Sequence, residues 1–155
     1  MLAERLRGTY KMLHLPDGLS QDSLHMLMTC EPQIKEIGDL ISRTDVLLFG
    51  IGTAMRMADQ RHIADDVRKQ LVDNHAVGEA LGQYCDIDGK LIYSTNNIGL
   101  SLPDVAKIPN VIAVAGGQDK SSAIIGVMRA CQKGILIIDE QAAEGMRQLL
   151  QISAL

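Results

Sequence analysis

The clearest capacity for ligand chemistry in this chain lies at Gly116-Gly117-Gln118-Asp119-Lys120, inside the longer run Val111-Ile-Ala-Val-Ala-Gly-Gly-Gln-Asp-Lys-Ser-Ser122. The run reads as a buried strand, a two-glycine turn, and a helix start that Ser121 or Ser122 would cap. Gly116 and Gly117 carry no Cβ, so the backbone can turn its N–H groups toward an anion, and a helix N-terminus adds partial positive charge. Lys120 adds a full charge, and a phosphate suits all three. The plainer alternative is that the glycines only turn the chain and Lys120 is solvated. Phe49-Gly50-Ile51-Gly52-Thr53 repeats the pattern after another apolar run. Gly50 and Gly52 alone are weak signals, because strand-to-helix turns often use glycine for close packing. Two such turns at one edge of one sheet carry more weight, since ligands of open parallel sheets bind just beyond the carboxyl ends of the strands. Arg61 could extend the positive field, although a lone arginine is more often a surface residue.

Other chemistries find less support. A dinucleotide fingerprint needs glycine three residues after Gly52, where Met55 stands; a P-loop needs glycines where Asp119 and Val114 stand. Glu79 sits among small residues, in Ala76-Val77-Gly78-Glu79-Ala80-Leu81-Gly82. A carboxylate there could accept hydrogen bonds from sugar hydroxyls, or be an ordinary helix-end or rim acid. His14, His25, His62 and His75 show no i, i+4 ligand pairing, and no metal site or cofactor is expected. Asp65-Asp66 and Asp139-Glu140 read as helix starts, where negative charge meets the positive end of the helix dipole. No Ser, Cys or Lys nucleophile stands beside a base, so no catalytic set is proposed.

Four short apolar runs have strand character: Tyr10 to Leu15, Val46 to Phe49, Val111 to Ala115 and Ile135 to Ile138. They are apolar on both faces, which suits a parallel sheet covered on both sides. An Asp17-Gly18 turn precedes two helical pieces (Leu24, Leu27, Met28, then Ile34, Ile37, Leu40, Ile41), and Pro32 opens the second. Ala123, Ile124, Val127, Met128 and Cys131 form one helical face that Gly134 ends, and Ala143, Met146, Leu149 and Leu150 mark a closing helix. Between about Met55 and Pro109 the pattern is less regular. Val67, Leu71 and Val72 suggest a helix, and Asp88-Gly89 joins Tyr84 to Ile87 and Leu91 to Ser94 as a hairpin. The expected fold is α/β: an open, mainly parallel sheet with helices on both faces and an inserted β-hairpin.

A chain of 155 residues suits one domain. With a single Phe and no Trp, its core must be aliphatic. The net charge of -4 and the absence of a basic run argue against a DNA-binding surface on this segment. Cys30, Cys85 and Cys131 show no paired spacing and read as reduced thiols, no stretch is apolar enough for a signal peptide or a membrane span, and a cytoplasmic location is expected.

Gly8-Thr-Tyr, Leu15-Pro16, Val46 to Gly52, Asp73-Asn-His-Ala-Val-Gly-Glu79, Asp88-Gly89 and Ile108 to Gly117 with Lys120 resemble the effector-binding domain of SorC-type bacterial transcriptional regulators. The resemblance runs over nearly the whole chain and is most specific from Ile108 to Lys120. It implies a fold like that of phosphosugar isomerases and glucosamine-phosphate deaminases. It also implies a phosphorylated sugar effector, fructose 1,6-bisphosphate or a related glycolytic sugar phosphate, which alters operator binding by an oligomeric repressor. By resemblance, Lys120 holds one phosphate, Glu79 meets sugar hydroxyls, Gln60 and Arg61 serve the other phosphate region, and Gly50 and Gly52 shape the wall. Two consecutive basic residues belong to the pattern where Gln60-Arg61 stands, so position 60 departs from it. Such regulators begin with a helix-turn-helix region, and their effector domain opens with a further strand and a Gly/Thr-rich loop. The chain is therefore expected to be the C-terminal portion of an effector domain, without the N-terminal DNA-binding domain and with weak effector binding of its own. Two other readings stay open: a phosphosugar isomerase or deaminase, in which Glu79 acts as a base, and an assembly module that uses the hairpin and the helix after Asp65.

Overall fold

The computed structural model describes residues 2–15 and 18–152, so Pro16 and the first residue of the expected Asp17-Gly18 turn lie outside the described residues. Contacts divide the chain into two units, one of residues up to Arg43 with Asn96–Ile98, the other of Thr44–Thr95 with the residues from Gly99 onward.

The first unit holds α1 (Leu2–Arg5), α2 (Gln21–Cys30) and α3 (Pro32–Ile41). Ser20 caps α2 by accepting from the Ser23 N–H at 3.1 Å, and Pro32 opens α3, where its missing N–H costs no hydrogen bond. Tyr10 to Leu15 forms no strand, contrary to the apolar pattern. A strand persists only where a neighbour pairs its N–H and C=O groups, and among the described residues none pairs with this run.

The second unit contains two sheets. The first is parallel, in the order β1 (Val46–Gly50), β6 (Asn110–Ala115), β7 (Ile135–Ile138), with Gly50 opposite Val114 and Ala115 opposite Ile138. The second is antiparallel, in the order β2 (Gly52–Thr53), β3 (Gly78–Ala80), β4 (Gln83–Cys85), β5 (Leu91–Ser94). The expected hairpin is β4–β5, with an irregularity at Tyr84/Cys85. The pairing of β2 and β3 was not visible in the sequence, because strands of two and three residues are too short to show a period. Chain order places α4 (Ala54–Gln60) and α5 (Asp65–Asp73) between β2 and β3, and α6 (Leu102–Val105) before β6. Asp65 and Asp66 open α5 as expected, and α6 carries a capping box between Ser101 and Asp104 that the sequence reading passed over.

A short 3-10 turn, Gln118–Lys120, leads directly into α7 (Ser121–Cys131), and α8 (Glu140–Ile152) closes the chain. Neither expected serine caps α7: the Ser121 hydroxyl donates to the carbonyls of Gln118 and Ala142, so it joins the start of α7 to α8. The left-handed residue that ends α7 is Gln132 (φ 54), two residues before Gly134.

Phe49, Val111, Ala113 and Ala115 on one face of the parallel sheet join Ala123, Ile124, Val127 and Cys131 of α7 in one apolar core. That is the expected mixed α/β packing. Of the residues alternating with these, Val46, Leu48, Val114, Ile135 and Ile137 are exposed. A smaller core joins Ala54 and Ala58 of α4 to Leu71 of α5 and Tyr84 of β4. It holds α4 against the antiparallel sheet.

Candidate functional site

β1 and β6 run parallel and end side by side, so the chain leaves both at the same edge of the sheet. There a cavity of about 550 Å³ opens between the end of β1, β2, α4, Glu79 of β3 and Lys120. It is lined by Gly50, Gly52, Gln60, Arg61, Glu79 and Lys120, together with Phe49, Ile51, Thr53, Arg56, Met57, Leu81 and Val114.

Glu79 is a buried strand residue, 3% exposed, rather than a helix-end acid. Leu81 (φ 56) and Gly82 (φ 78) form the two-residue link between β3 and β4. Two positive φ values make a tight hairpin turn, at some conformational cost for Leu81. The turn directs the Gly82 N–H back to Glu79 Oε1 at 2.7 Å, and Arg61 Nη2 donates to the same oxygen at 3.2 Å. Burial pushes the Glu79 carboxyl above its ordinary range, while the Arg61 charge and the Gly82 N–H pull it down. Oε2 lies toward Gly52, which stands opposite Glu79 in the β2–β3 register; a Cβ on Gly52 would sit 3.9 Å from it. Glu79 thus turns an acceptor toward the cavity wall while its other oxygen is anchored.

Gly52 has a second structural role. A Cβ there would fall 2.4 Å from Met57 Cγ, so the bare backbone lets the Met57 side chain fold beneath it. α4 and the Arg61 that follows it then present two adjacent rows to the cavity, Arg56 with Gln60 and Met57 with Arg61, each pair four residues apart. Arg61 is engaged by Glu79, whereas Arg56 and Lys120 are held in no ion pair among the described residues.

Gly116 and Gly117 do not line this cavity. The Gly117 N–H donates to both carboxylate oxygens of Asp139, at 3.1 and 2.9 Å, and a Cβ on Gly116 would stand 2.6 Å from Asp139 Oδ2. Asp139 also accepts the Ala142 N–H at 2.8 Å, and these two N–H groups hold its carboxyl below the usual range. An internal carboxylate therefore occupies the anion position that the glycine turn was expected to offer a phosphate. The signal was available: β6 and β7 are parallel neighbours, so the residue after Ile138 comes level with the one after Ala115. Arg56, also missed, stands one helical turn before Gln60.

Among the described residues no group of His, Cys, Asp and Glu could hold a metal ion, and no helix is long and apolar enough to cross a membrane. The cavity wall offers two cations that are unpaired among the described residues, an anchored acceptor and a partly apolar surface, groups suited to holding an anionic, hydroxyl-bearing ligand.

Residues 1–148 match the Sugar-bind family, described as "Putative sugar-binding domain". The chain belongs to this sugar-binding domain family. It is 37% identical over 143 residues to the central glycolytic genes regulator of Bacillus subtilis, covering 92% of this chain and 42% of the relative. Against the deoxyribonucleoside regulator of the same organism the identity is 26% over 151 residues, covering 94% of this chain and 48% of the relative. The chain thus spans less than half the length of these curated relatives. Among solved structures, the "putative SorC family transcriptional regulator" of Enterococcus faecalis superposes with a TM-score of 0.85 at 37% identity, covering 94% of this chain and 59% of that one. The full-length sorbitol operon regulator SorC of Klebsiella pneumoniae shares the fold, with a TM-score of 0.75 at 23% identity, covering 93% and 47%. These relatives are transcriptional regulators rather than enzymes, and the isomerase or deaminase reading receives no support from them.

Proposed function

We propose that this chain is the effector-sensing part of a cytoplasmic transcriptional repressor, and that its cavity takes a phosphorylated sugar, fructose 1,6-bisphosphate or a related glycolytic sugar phosphate. Lys120 holds a phosphate, Glu79 accepts from sugar hydroxyls, Gln60 and Arg61 face the remaining part of the ligand, and Gly50 and Gly52 form the wall. Gly116 and Gly117 contribute by fixing the turn that carries Lys120. Operator DNA is reached through a separate N-terminal domain of the intact, oligomeric regulator. Effector binding biases that assembly toward one arrangement, and so changes its affinity for DNA.

The observation that carries this reading is the cavity in which Lys120 and the anchored Glu79 carboxylate line one space. A sugar phosphate is an anion joined to a set of hydroxyl donors, and those two groups answer its two halves. The test is thermal unfolding with about 10 mM fructose 1,6-bisphosphate, and with fructose as the uncharged control. The bisphosphate raises the melting temperature, fructose does not, and Lys120→Ala abolishes most of the rise. An equal rise in the Lys120→Ala variant would refute the assignment.

A further inference from the structure

We infer that Arg56 is the pocket's second anion-binding residue, and that it, not Arg61, distinguishes a sugar carrying two phosphates from one carrying a single phosphate. The inference rests on the sugar-phosphate reading above and adds to it a specificity residue.

The argument is one of charges already committed. Arg61 is the cation that the sequence offers on this side of the site, yet its guanidinium lies 3.2 Å from the buried Glu79 carboxylate, which would be left uncompensated if Arg61 moved to a ligand. Removing the partner of a buried charge is costly, so Arg61 stays as the brace of Glu79. Gln60 lines the cavity but brings no charge. Arg56 stands four residues before Gln60, on the same face of α4, and lines the same space. No described residue neutralises it: the nearby acid of α4, Asp59, is paired with Arg68 of α5, and Glu79 is taken. Arg56 is an exposed residue, and a guanidinium can meet a phosphate with two parallel N–H donors. Lys120 approaches the cavity from the turn after β6, Arg56 from α4, so the two unpaired cations belong to separate elements of the wall. One anionic group answers one of them; a second answers the other.

The full 155-residue chain is titrated with fructose 1,6-bisphosphate and with fructose 6-phosphate, and binding is read from calorimetry and melting shifts. The wild type binds the bisphosphate more tightly. Arg56→Ala weakens bisphosphate binding by about tenfold or more and fructose 6-phosphate binding by less than about threefold, so the preference disappears. Adding Gln60→Arg to Arg56→Ala returns a cation one turn along the helix and recovers part of the preference. A wild type that binds both sugars equally, or an Arg56→Ala variant that keeps its preference or loses both ligands alike, overturns the inference while the sensing function stands. If neither sugar phosphate shifts the melting of the wild type, the sensing reading fails and the role of Arg56 fails with it.

Discussion

Arg61→Met tests whether Glu79 depends on its cationic brace. The substitution keeps much of the side-chain volume, removes the charge, and leaves the Gly82 N–H as the donor on Glu79 Oε1. Breaking a fully buried ion pair costs about 3–5 kcal/mol. The Glu79 side chain is 4% exposed but that of Arg61 is 28% exposed, and the pair is joined by one contact of 3.2 Å. Solvent screens part of the interaction, and about 1–3 kcal/mol is expected. For a chain of this size that lowers the melting temperature by roughly 3–10 °C. The pH dependence identifies the cause. Burial already holds the Glu79 carboxyl above its unfolded value of about 4.3, so the folded chain binds the proton more tightly. Its contribution to stability is fully present below that value, and is lost as the pH rises through the folded-state pKa. Removing Arg61 takes away the largest opposing influence and raises the folded-state pKa further. The gap between variant and wild type is therefore widest near neutral pH and closes on acidification, as Glu79 becomes neutral in both. Circular dichroism melts from about pH 8 to about pH 5 measure this, and adding Arg61→Met to Glu79→Gln should cost little further stability. A loss that is the same at every pH, or smaller than about 1 °C, would show that Arg61 does not brace a buried charge.

Three further outcomes follow from the same structure. Gly78→Ala places a Cβ 2.7 Å from the backbone oxygen of Ala123 in α7 and should cost about 1–3 kcal/mol; the close contacts made by Gly52→Ala are with the flexible Met57 chain, so denaturant titration should show a smaller loss, accompanied by weaker effector binding as Met57 is pushed toward the cavity. Asp139→Ala removes the acceptor shared by Gly117 and Ala142 and should lower the melting temperature at neutral pH. Because that carboxyl is held below its ordinary value, its stabilisation is present above about pH 3.9 and is lost as the pH falls through the folded-state pKa, so the variant and wild-type melts should converge in acid. Burial pushes the Cys85 and Cys131 thiols up to about 12 and about 11, whereas Cys30 is exposed; alkylation of the native chain should modify Cys30 alone, and labelling of all three thiols without denaturant would contradict the packing of α7 on the sheets.

The parts of the fold that were legible in the sequence are those whose order is local. β1, β6 and β7 announced themselves as apolar runs, α5 and α8 through acidic starts, α3 through Pro32, and β4–β5 through Asp88-Gly89. What stayed hidden depends on partners far away in sequence. Tyr10 to Leu15 has the composition of a strand, but pairing requires a neighbour that composition does not report. β2 pairs with β3 through two residues, Gly52 opposite Glu79 and Thr53 opposite Gly78, and so short a ladder leaves no period in the sequence. Yet that ladder sets the site, because it carries Glu79 to the cavity wall opposite Gly52. The identity of Glu79 as an unusual acid was readable; its strand, its burial and its brace were not.

The glycine turn after β6 shows how residue types alone can point to an anion contact without naming the anion. Gly116 and Gly117 do bring backbone N–H groups to the edge of a parallel sheet, and an anion does meet Gly117, but it is the carboxylate of Asp139. In a parallel sheet every strand delivers its following residue to the same edge, so the turn after one strand competes for the same space as the residue after the next. Asp139 takes the backbone donor and, through the Ala142 N–H, ties the start of α8 to the turn that carries Lys120. A ligand anion at this edge would then have to meet side-chain charge rather than the Gly117 N–H. The cations with no partner among the described residues at the cavity wall are Lys120 and Arg56, both side chains on elements that substitution can change without disturbing the Gly117–Asp139 contact.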